Sequence, residues 1–287
     1  MNKADCYNKE TNFCGDTPMI KVSDKVYGKL EAYNPTGSIK DRLVSYLINT
    51  KFGGDSHEGY TFCEATSGNT GIALASCAAR LGVKCKIFMP SNMSEERKQM
   101  LRVFGAEIVS VPDNDFDEAI RQRDEFLRNN ERSWSPNQFE NPDNIQCHFL
   151  TTAHEIHRQM GAEWQAFIHG SGTGGTIMGV SKYINTLGLD IKVGLVLPEE
   201  EKHGIQGIGD GKDFLLNKEC ADWITKVKTQ DAIDRAKRFA EETGILVGIS
   251  SGANILASER WRDENNPDKN VVTILADRGE RYLSVYK

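Results

Sequence analysis

Lys40 follows the turn-forming run Asn34-Pro35-Thr36-Gly37-Ser38-Ile39 and opens a stretch, 43–47, with the pattern of a helix. Pro35 sets one backbone angle and Gly37 permits a sharp bend, so local geometry holds the amine near a helix N-terminus. A desolvated lysine at that positive end loses preference for its charged form, which suits imine chemistry with a carbonyl. A solvated lysine after a surface loop has the same local sequence.

Three other stretches could work with such a lysine. Gly170-Ser171-Gly172-Thr173-Gly174-Gly175-Thr176 lies between a strand pattern and a helix pattern. Glycines let backbone amides approach an anion, the helix end adds partial positive charge, and Thr173 and Thr176 add donors: a phosphate cup. It also contains GxGxxG at Gly170, Gly172 and Gly175, with Asp190 placed as a dinucleotide fingerprint wants. The loop alone does not choose the phosphate ligand. Thr66-Ser67-Gly68-Asn69-Thr70-Gly71 is a second strand–helix junction, crowded with neutral donors that suit a carboxylate. An ordinary helix cap by Ser67 or Asn69 would need only one of them. Gly248-Ile249-Ser250-Ser251-Gly252-Ala253-Asn254 is a third such junction and reads as a capped helix start. Asp277-Arg278-Gly279-Glu280-Arg281-Tyr282 reads as a charged exit turn.

The elements that must position these residues alternate. Strands are predicted at 60–64, 84–89 and 106–111, and helices at 71–80, 94–104 and 115–129. That order implies a parallel, right-handedly connected sheet. The Ser-, Pro- and Asn-rich stretch 133–144 reads as a loop and domain boundary. A second series follows, with helices at 152–160, 175–186, 231–243 and 252–262, and strands at 165–169, 191–197, 223–227 and 270–276. Gly244 stands where a helix C-terminal glycine belongs. The fold class is α/β: two doubly wound domains, with the cleft between them as the expected site.

The 287 residues are 39% apolar and 26% charged, an ordinary globular composition. A formal charge of −6 argues against a nucleic-acid partner. No apolar run approaches bilayer length and the first ten residues have no apolar core, so no membrane association is expected. Seven scattered cysteines without a CxxC pair fit reduced thiols in a cytoplasm. Cys147, His148, His154 and His157 lack a convincing ligand pattern, and no metal is expected.

Together these stretches resemble the fold type II (β-family) pyridoxal-phosphate enzymes, and within them the cysteine synthases. The likeness includes Gly15-Asp16-Thr17-Pro18, 34–42, 64–75, 89–97, Phe104-Gly105-Ala106-Glu107, 138–144, 170–176, 203–209, 244–253 and 277–284. Glu64-Ala65-Thr66, Asn141-Pro142-Asp143-Asn144, Leu197-Pro198-Glu199-Glu200 and Asp277-Arg278-Gly279 look most like the second O-acetylserine sulfhydrylase type, cysteine synthase B. The resemblance implies a tryptophan synthase β-subunit-like fold. A smaller mobile domain, 36–140, would bind the substrate carboxylate, and 1–35 with 141–287 would form a larger domain binding pyridoxal 5′-phosphate. It implies that Lys40 forms the internal aldimine, Asn69 bonds the ring hydroxyl, Gly172, Thr173, Gly174, Gly175 and Thr176 cradle the phosphate, and Ser250 faces the pyridine nitrogen. Thr66, Ser67, Asn69, Thr70 and Gln138 would surround the substrate carboxylate, with Gly207 at the pocket mouth.

The activity so implied is β-replacement: O-acetyl-L-serine loses acetate to give an aminoacrylate, to which sulfide adds, and L-cysteine leaves a homodimeric cytoplasmic enzyme. O-phosphoserine, thiosulfate, cystathionine β-synthase-like and cysteine desulfhydrase chemistry remain alternatives. So do a nucleotide-binding oxidoreductase, which leaves Lys40, 66–70 and Ser250 unexplained, and a non-catalytic homologue, against which intact Lys40 argues. The sequence departs from the family in short connections around 22–28 and 198–203, and in 207–213. There Asp210, with Asp213 nearby, is expected to disfavour an anionic sulfur donor.

Overall fold

The hairpin that starts the fold lies where the sequence suggested only a connection. Strands β1 (Met19–Ser23) and β2 (Val26–Leu30) pair antiparallel, and Lys25 takes the left-handed turn conformation at φ +54°. The computed structural model describes residues 14–53, 55–66, 68–209 and 212–286. The chain continues through α1 (Lys40–Phe52), β3 (Thr61–Ala65), α2 (Asn69–Leu81), β4 (Lys84–Pro90), α3 (Glu95–Val103), β5 (Glu107–Val111), α4 (Phe116–Asn129) and β6 (Ser133–Trp134). Then come α5 (Asp143–His148), α6 (His154–Met160), β7 (Trp164–Gly170), α7 (Gly175–Thr186), β8 (Lys192–Pro198), β9 (Trp223–Val227), α8 (Thr229–Thr243), α9 (Ile249–Asn265) and β10 (Asn270–Leu275).

Two compact units divide the chain, one holding Lys40–Asn141 with Cys14, the other Gly15–Ile39 with the chain from Pro142 onward. In the first, the sheet order is β5-β4-β3-β6, all parallel. Its core gathers Phe62, Ile72, Leu74, Ile87 and Met89, all fully buried; each contributes about 1.5–3 kcal/mol of transfer free energy. The order runs outward from β3 in both directions, so the chain reverses between β3 and β6. In parallel sheets, ligands bind at the strands' C-terminal ends beside such a reversal. Asp115 caps α4 by accepting from the Glu118 amide at 2.9 Å, as an aspartate before an amphipathic run should.

In the second unit the order is β1-β2-β10-β7-β8-β9, parallel apart from β1. Its reversal lies between β7 and β10, and one of its two buried clusters packs α8 and α9 on the sheet through Phe239, Ala236, Ala253 and Trp261. Gly244 ends α8 at φ +73°, as expected. Two readings are corrected here. The stretch 133–144 is not all loop: Ser133 and Trp134 pair with Thr61 and Phe62 as β6, and α5 has begun by Asp143. Nor does the next helix begin at 152, because a π-helical stretch, Phe149–Ala153, joins α5 to α6. Periodicity of 3.6 breaks across such a stretch and hides its continuity.

Gly252 illustrates how closely α8 and α9 approach. A Cβ there would lie 2.0 Å from the Ala232 carbonyl oxygen and 2.9 Å from the Ala236 methyl. Gly252→Ala is expected to destabilise the protein by about 1–3 kcal/mol, read as a shifted midpoint in urea.

Candidate active site

The carboxylate-type loop leaves the C-terminal end of β3 at the reversal of the first unit. Its helix, α2, starts at Asn69 with Gly68 at the cap position and no side-chain cap. Thr66 is buried and its Oγ1 accepts from the Gly68 amide at 3.2 Å. Thr70, also buried, donates its hydroxyl to Gln138 Oε1 at 2.6 Å. This bond brings the loop after β3 together with the segment after β6. Gln138 thereby has its oxygen occupied, which fixes the orientation of its side-chain amide. Ser67 lies outside the described residues. Gln138→Ala is expected to raise KM for an α-amino-acid substrate about tenfold, through loss of one charge-assisted hydrogen bond, with a smaller change in kcat under steady-state assay.

Gln138 is itself held by residues that sequence reasoning passed over. Glu64, in β3, has no solvent exposure. Its carboxylate accepts from Arg123 Nη1 at 2.8 Å, from the Ala65 amide at 2.9 Å and from the Gln138 amide at 3.3 Å. Arg123, on α4 and 4% exposed, also reaches Ser135 Oγ at 3.3 Å. Burial pushes the Glu64 carboxyl up, and Arg123 with the two amides pulls it back. A charged glutamate inside a β-branched and aromatic strand was the available signal. Burial also raises the Cys63 and Cys77 thiols to about 12, so neither is a thiolate near neutral pH.

Lys40 is the first residue of α1 and is half-buried. The turn before it is tight: the Gly37 amide donates to the Asn34 carbonyl at 2.8 Å, with Gly37 at φ +82°. Asn34 is fixed in turn, its Nδ2 donating to Glu31 Oε2 at 2.6 Å and its Oδ1 accepting from Gly15 N at 3.0 Å.

In the second unit, the glycine loop joins β7 to α7 beside that unit's reversal. Thr173 Oγ1 accepts from Asn144 Nδ2 at 3.0 Å and from Gly175 N at 3.3 Å, which directs its own proton elsewhere. His148 lies between Thr152 Oγ1, 2.9 Å from Nδ1, and Thr176 Oγ1, 3.3 Å from Nε2. The tautomer protonated on Nε2 donates to Thr176 and leaves that hydroxyl free to donate onward. Asn144 and His148 stand four residues apart on α5, both fully buried. That spacing was legible as one helix face but was read as a loop end and a weak metal candidate. His148 instead supports the cup, while His154 and His157 lie against the Tyr183 ring at 6.2 and 5.8 Å.

Not all the glycines serve an anion. A Cβ on Gly172 would lie 2.4 Å from the Gly207 carbonyl oxygen, and Gly174, at φ +92°, meets the Leu215–Leu216 backbone. Residues 207–209 and 212–216 are laced to the loop by Gly209 N to Ser171 O at 2.8 Å and Leu215 N to Thr173 O at 3.0 Å. Gly207 is thus placed against Gly172; Asp210 and Gly211 lie outside the described residues. Ser250 is buried in the first turn of α9. The adjacent Asn254 ties that helix to β7, accepting from Gly170 N at 2.8 Å.

The donors fit a phosphorylated ligand. Ser171 Oγ is buried and, among the described residues, has no hydrogen-bond partner, so it stands beside the amide end of α7 ready for an oxyanion. No group of three or more metal-ligating side chains converges among the described residues. No helix among them is long and apolar enough to cross a membrane.

Known proteins share this arrangement. A cysteine synthase from Staphylococcus aureus is 39% identical over 295 aligned positions, covering 96% of this chain and 94% of that protein. A solved cysteine synthase from Entamoeba histolytica superposes with a TM-score of 0.88 at 35% identity, covering 97% of this chain and 89% of its own. A hydrogen sulfide-producing enzyme from Fusobacterium nucleatum gives 0.88 at 35% identity, covering 95% and 89%. The family model for pyridoxal-phosphate dependent enzymes matches residues 11–277. That match takes in the lysine turn, the carboxylate-type loop and the oxyanion cup alike, and the chain belongs to the pyridoxal-phosphate dependent enzymes, with pyridoxal 5′-phosphate as its cofactor.

Proposed function

We propose that this enzyme makes L-cysteine by β-replacement, from O-acetyl-L-serine and sulfide. The observation that carries the reading is the bond between Thr70 and Gln138, which assembles neutral donors at the N-terminus of α2. An α-carboxylate binds there without a competing cation, and the likeness to cysteine synthases supplies the substrate class.

The bound cofactor supplies an electron sink for the electrons released at the substrate α-carbon. Lys40 would hold the cofactor, and its amine would take the proton from the substrate α-carbon and later return it. Thr66, Asn69, Thr70 and Gln138, with Ser67, would hold the substrate carboxylate, and Asn69 would also bond the cofactor's ring hydroxyl. Thr173, Thr176 and the amides of Gly172, Gly174 and Gly175 hold the phosphate. The Ser250 hydroxyl would face the cofactor's ring nitrogen and, being neutral, would leave it largely unprotonated, which would favour loss of the β-substituent over other fates. Gly207 borders the path of the incoming nucleophile.

The relative from Fusobacterium nucleatum supports a second reading, in which cysteine is the donor and sulfide the product. One pair of assays separates the two: cysteine formed from O-acetylserine and sulfide, and sulfide released from cysteine. The expected enzyme is yellow, is bleached by borohydride, and forms cysteine faster than it releases sulfide. A colourless protein would sink both readings; O-phosphoserine or thiosulfate outcompeting the default substrates would redirect the first. We further propose a cytoplasmic homodimer, which light scattering on the purified protein tests for mass.

A further inference from the structure

The segment 277–282, which reads as an exit turn after β10, makes more bonds to the candidate site's supports than its sequence suggested. Toward the lysine turn, Arg278 N donates to the Gly37 carbonyl at 3.1 Å and Arg278 Nε to the Ala32 carbonyl at 2.9 Å. Arg281, 6% exposed, donates through Nη1 to the same Gly37 carbonyl at 3.3 Å and through Nη2 to the Thr36 carbonyl. Ser38 bridges Asp277, and Ile39 N donates to the Ala276 carbonyl at 2.9 Å. The next residue along the chain is Lys40.

Toward the helix carrying Ser250, Gly248 N donates to the Asp277 carbonyl at 3.1 Å, and Val247 bridges Arg278. Gly279 N donates to the Leu246 carbonyl at 3.1 Å, and Ser251 Oγ accepts from Ala276 N at 2.9 Å. Tyr282 closes the segment on itself, its hydroxyl donating to Asp277 Oδ2 at 2.6 Å. A Cβ on Gly248 would lie 2.0 Å from Asp277 Oδ1, and one on Gly37 would lie 2.8 Å from Arg278 Cδ. Both glycines leave room for this segment.

We infer that 277–282 is a clasp that holds the turn leading into Lys40 and the start of the helix carrying Ser250 to one short segment, with Arg281 as its principal positioning residue. The inference rests on the roles given to Lys40 and Ser250 in the proposed function. A planar guanidinium reaching two successive carbonyls fixes the orientation of that peptide as a single ammonium does not. The turn 34–39 has no strand or helix of its own, so its shape depends on such outside bonds. One short segment then sets both the course of the chain into Lys40 and the start of α9, and loosening it frees the turn that carries the lysine.

The test uses holoenzyme and the variants Arg281→Met and Arg281→Lys, measured by hydrogen exchange, cofactor absorbance and steady-state kinetics. In R281M, exchange in peptides covering 34–39 is expected to rise about tenfold while peptides in β3 and α2 keep wild-type rates. The same variant is expected to lose about tenfold in kcat, with KM for O-acetylserine within about twofold, and to shift the pH at which the lysine-bound cofactor changes absorbance. R281K should recover part of kcat. Wild-type exchange at 34–39 with an unchanged absorbance titration would overturn the clasp. Should R281M fold poorly, the cycle of Gly37→Ala with Arg278→Ala decides. The clasp predicts that G37A costs less in the R278A background, and strict additivity overturns it. A wild-type protein that binds no pyridoxal phosphate would defeat the functional reading, while the exchange measurements would still judge the clasp.

Discussion

Lys40→Ala is expected to lower kcat by roughly 10⁴-fold, the upper range for loss of one general acid–base group, and to leave the fold intact. The side chain is half-buried at the first position of α1. Alanine is a strong helix former, and the helix loses only a cation at its unfavourable end. The stability change should therefore stay within about 0.5 kcal/mol. The cofactor phosphate is proposed to sit on the glycine loop with Thr173 and Thr176, so the variant should still bind pyridoxal phosphate, but borohydride should no longer attach it to the protein. Turnover above a tenth of wild type would remove Lys40 from the mechanism. A variant that no longer folds would make it a structural residue.

Arg123→Met is expected to destabilise the protein by about 3–5 kcal/mol, since it strips the partner from a fully buried carboxylate. The paired change Glu64→Gln with Arg123→Met should cost distinctly less, because no charge is left behind. The single variant also carries a signature in pH. Burial already raises the Glu64 carboxyl and Arg123 is the largest effect lowering it, so removing Arg123 raises it further. A carboxyl raised in the folded state keeps its proton where the unfolded chain has lost it. Stability from that group is then greatest below the ordinary glutamate range and falls as pH climbs toward the raised value. R123M should consequently be less destabilised at about pH 5 than at about pH 8, measured by urea midpoints. Equal loss at both would mean that Glu64 stays ionised without its arginine. Because Glu64 also accepts from the Gln138 amide, the surviving folded enzyme should show a raised KM for the amino-acid donor.

The strand–turn–helix junctions after β3 and β7 were legible because each is marked locally; the third, expected at Gly248 as a capped helix start, instead follows α8 with no strand between and has no side-chain cap. Helix 175–186 and strand 223–227 fall at the expected bounds, and the short runs around them leave little freedom for register. Two of the stretches misread were of another kind. The hairpin β1–β2 turns on Asp24 and Lys25 with no glycine to announce it, since Lys25 itself takes the left-handed conformation. The strand β6 is two residues long, too short for alternation to register.

Local sequence by itself marked Lys40, Thr66 to Thr70, Gly172 to Thr176 and Ser250 as the residues proposed to carry the chemistry, because backbone turns, helix ends and side-chain donors are properties of a few neighbouring residues. It could not say what holds them. The pairing of Thr70 with Gln138 joins residues 68 positions apart, and Arg123 meets Glu64 across 59. Arg281 reaches Gly37 across 244. Those bonds form only where strand order brings distant loops to the same sheet end, and strand order is a property of the whole packed core rather than of any stretch within it.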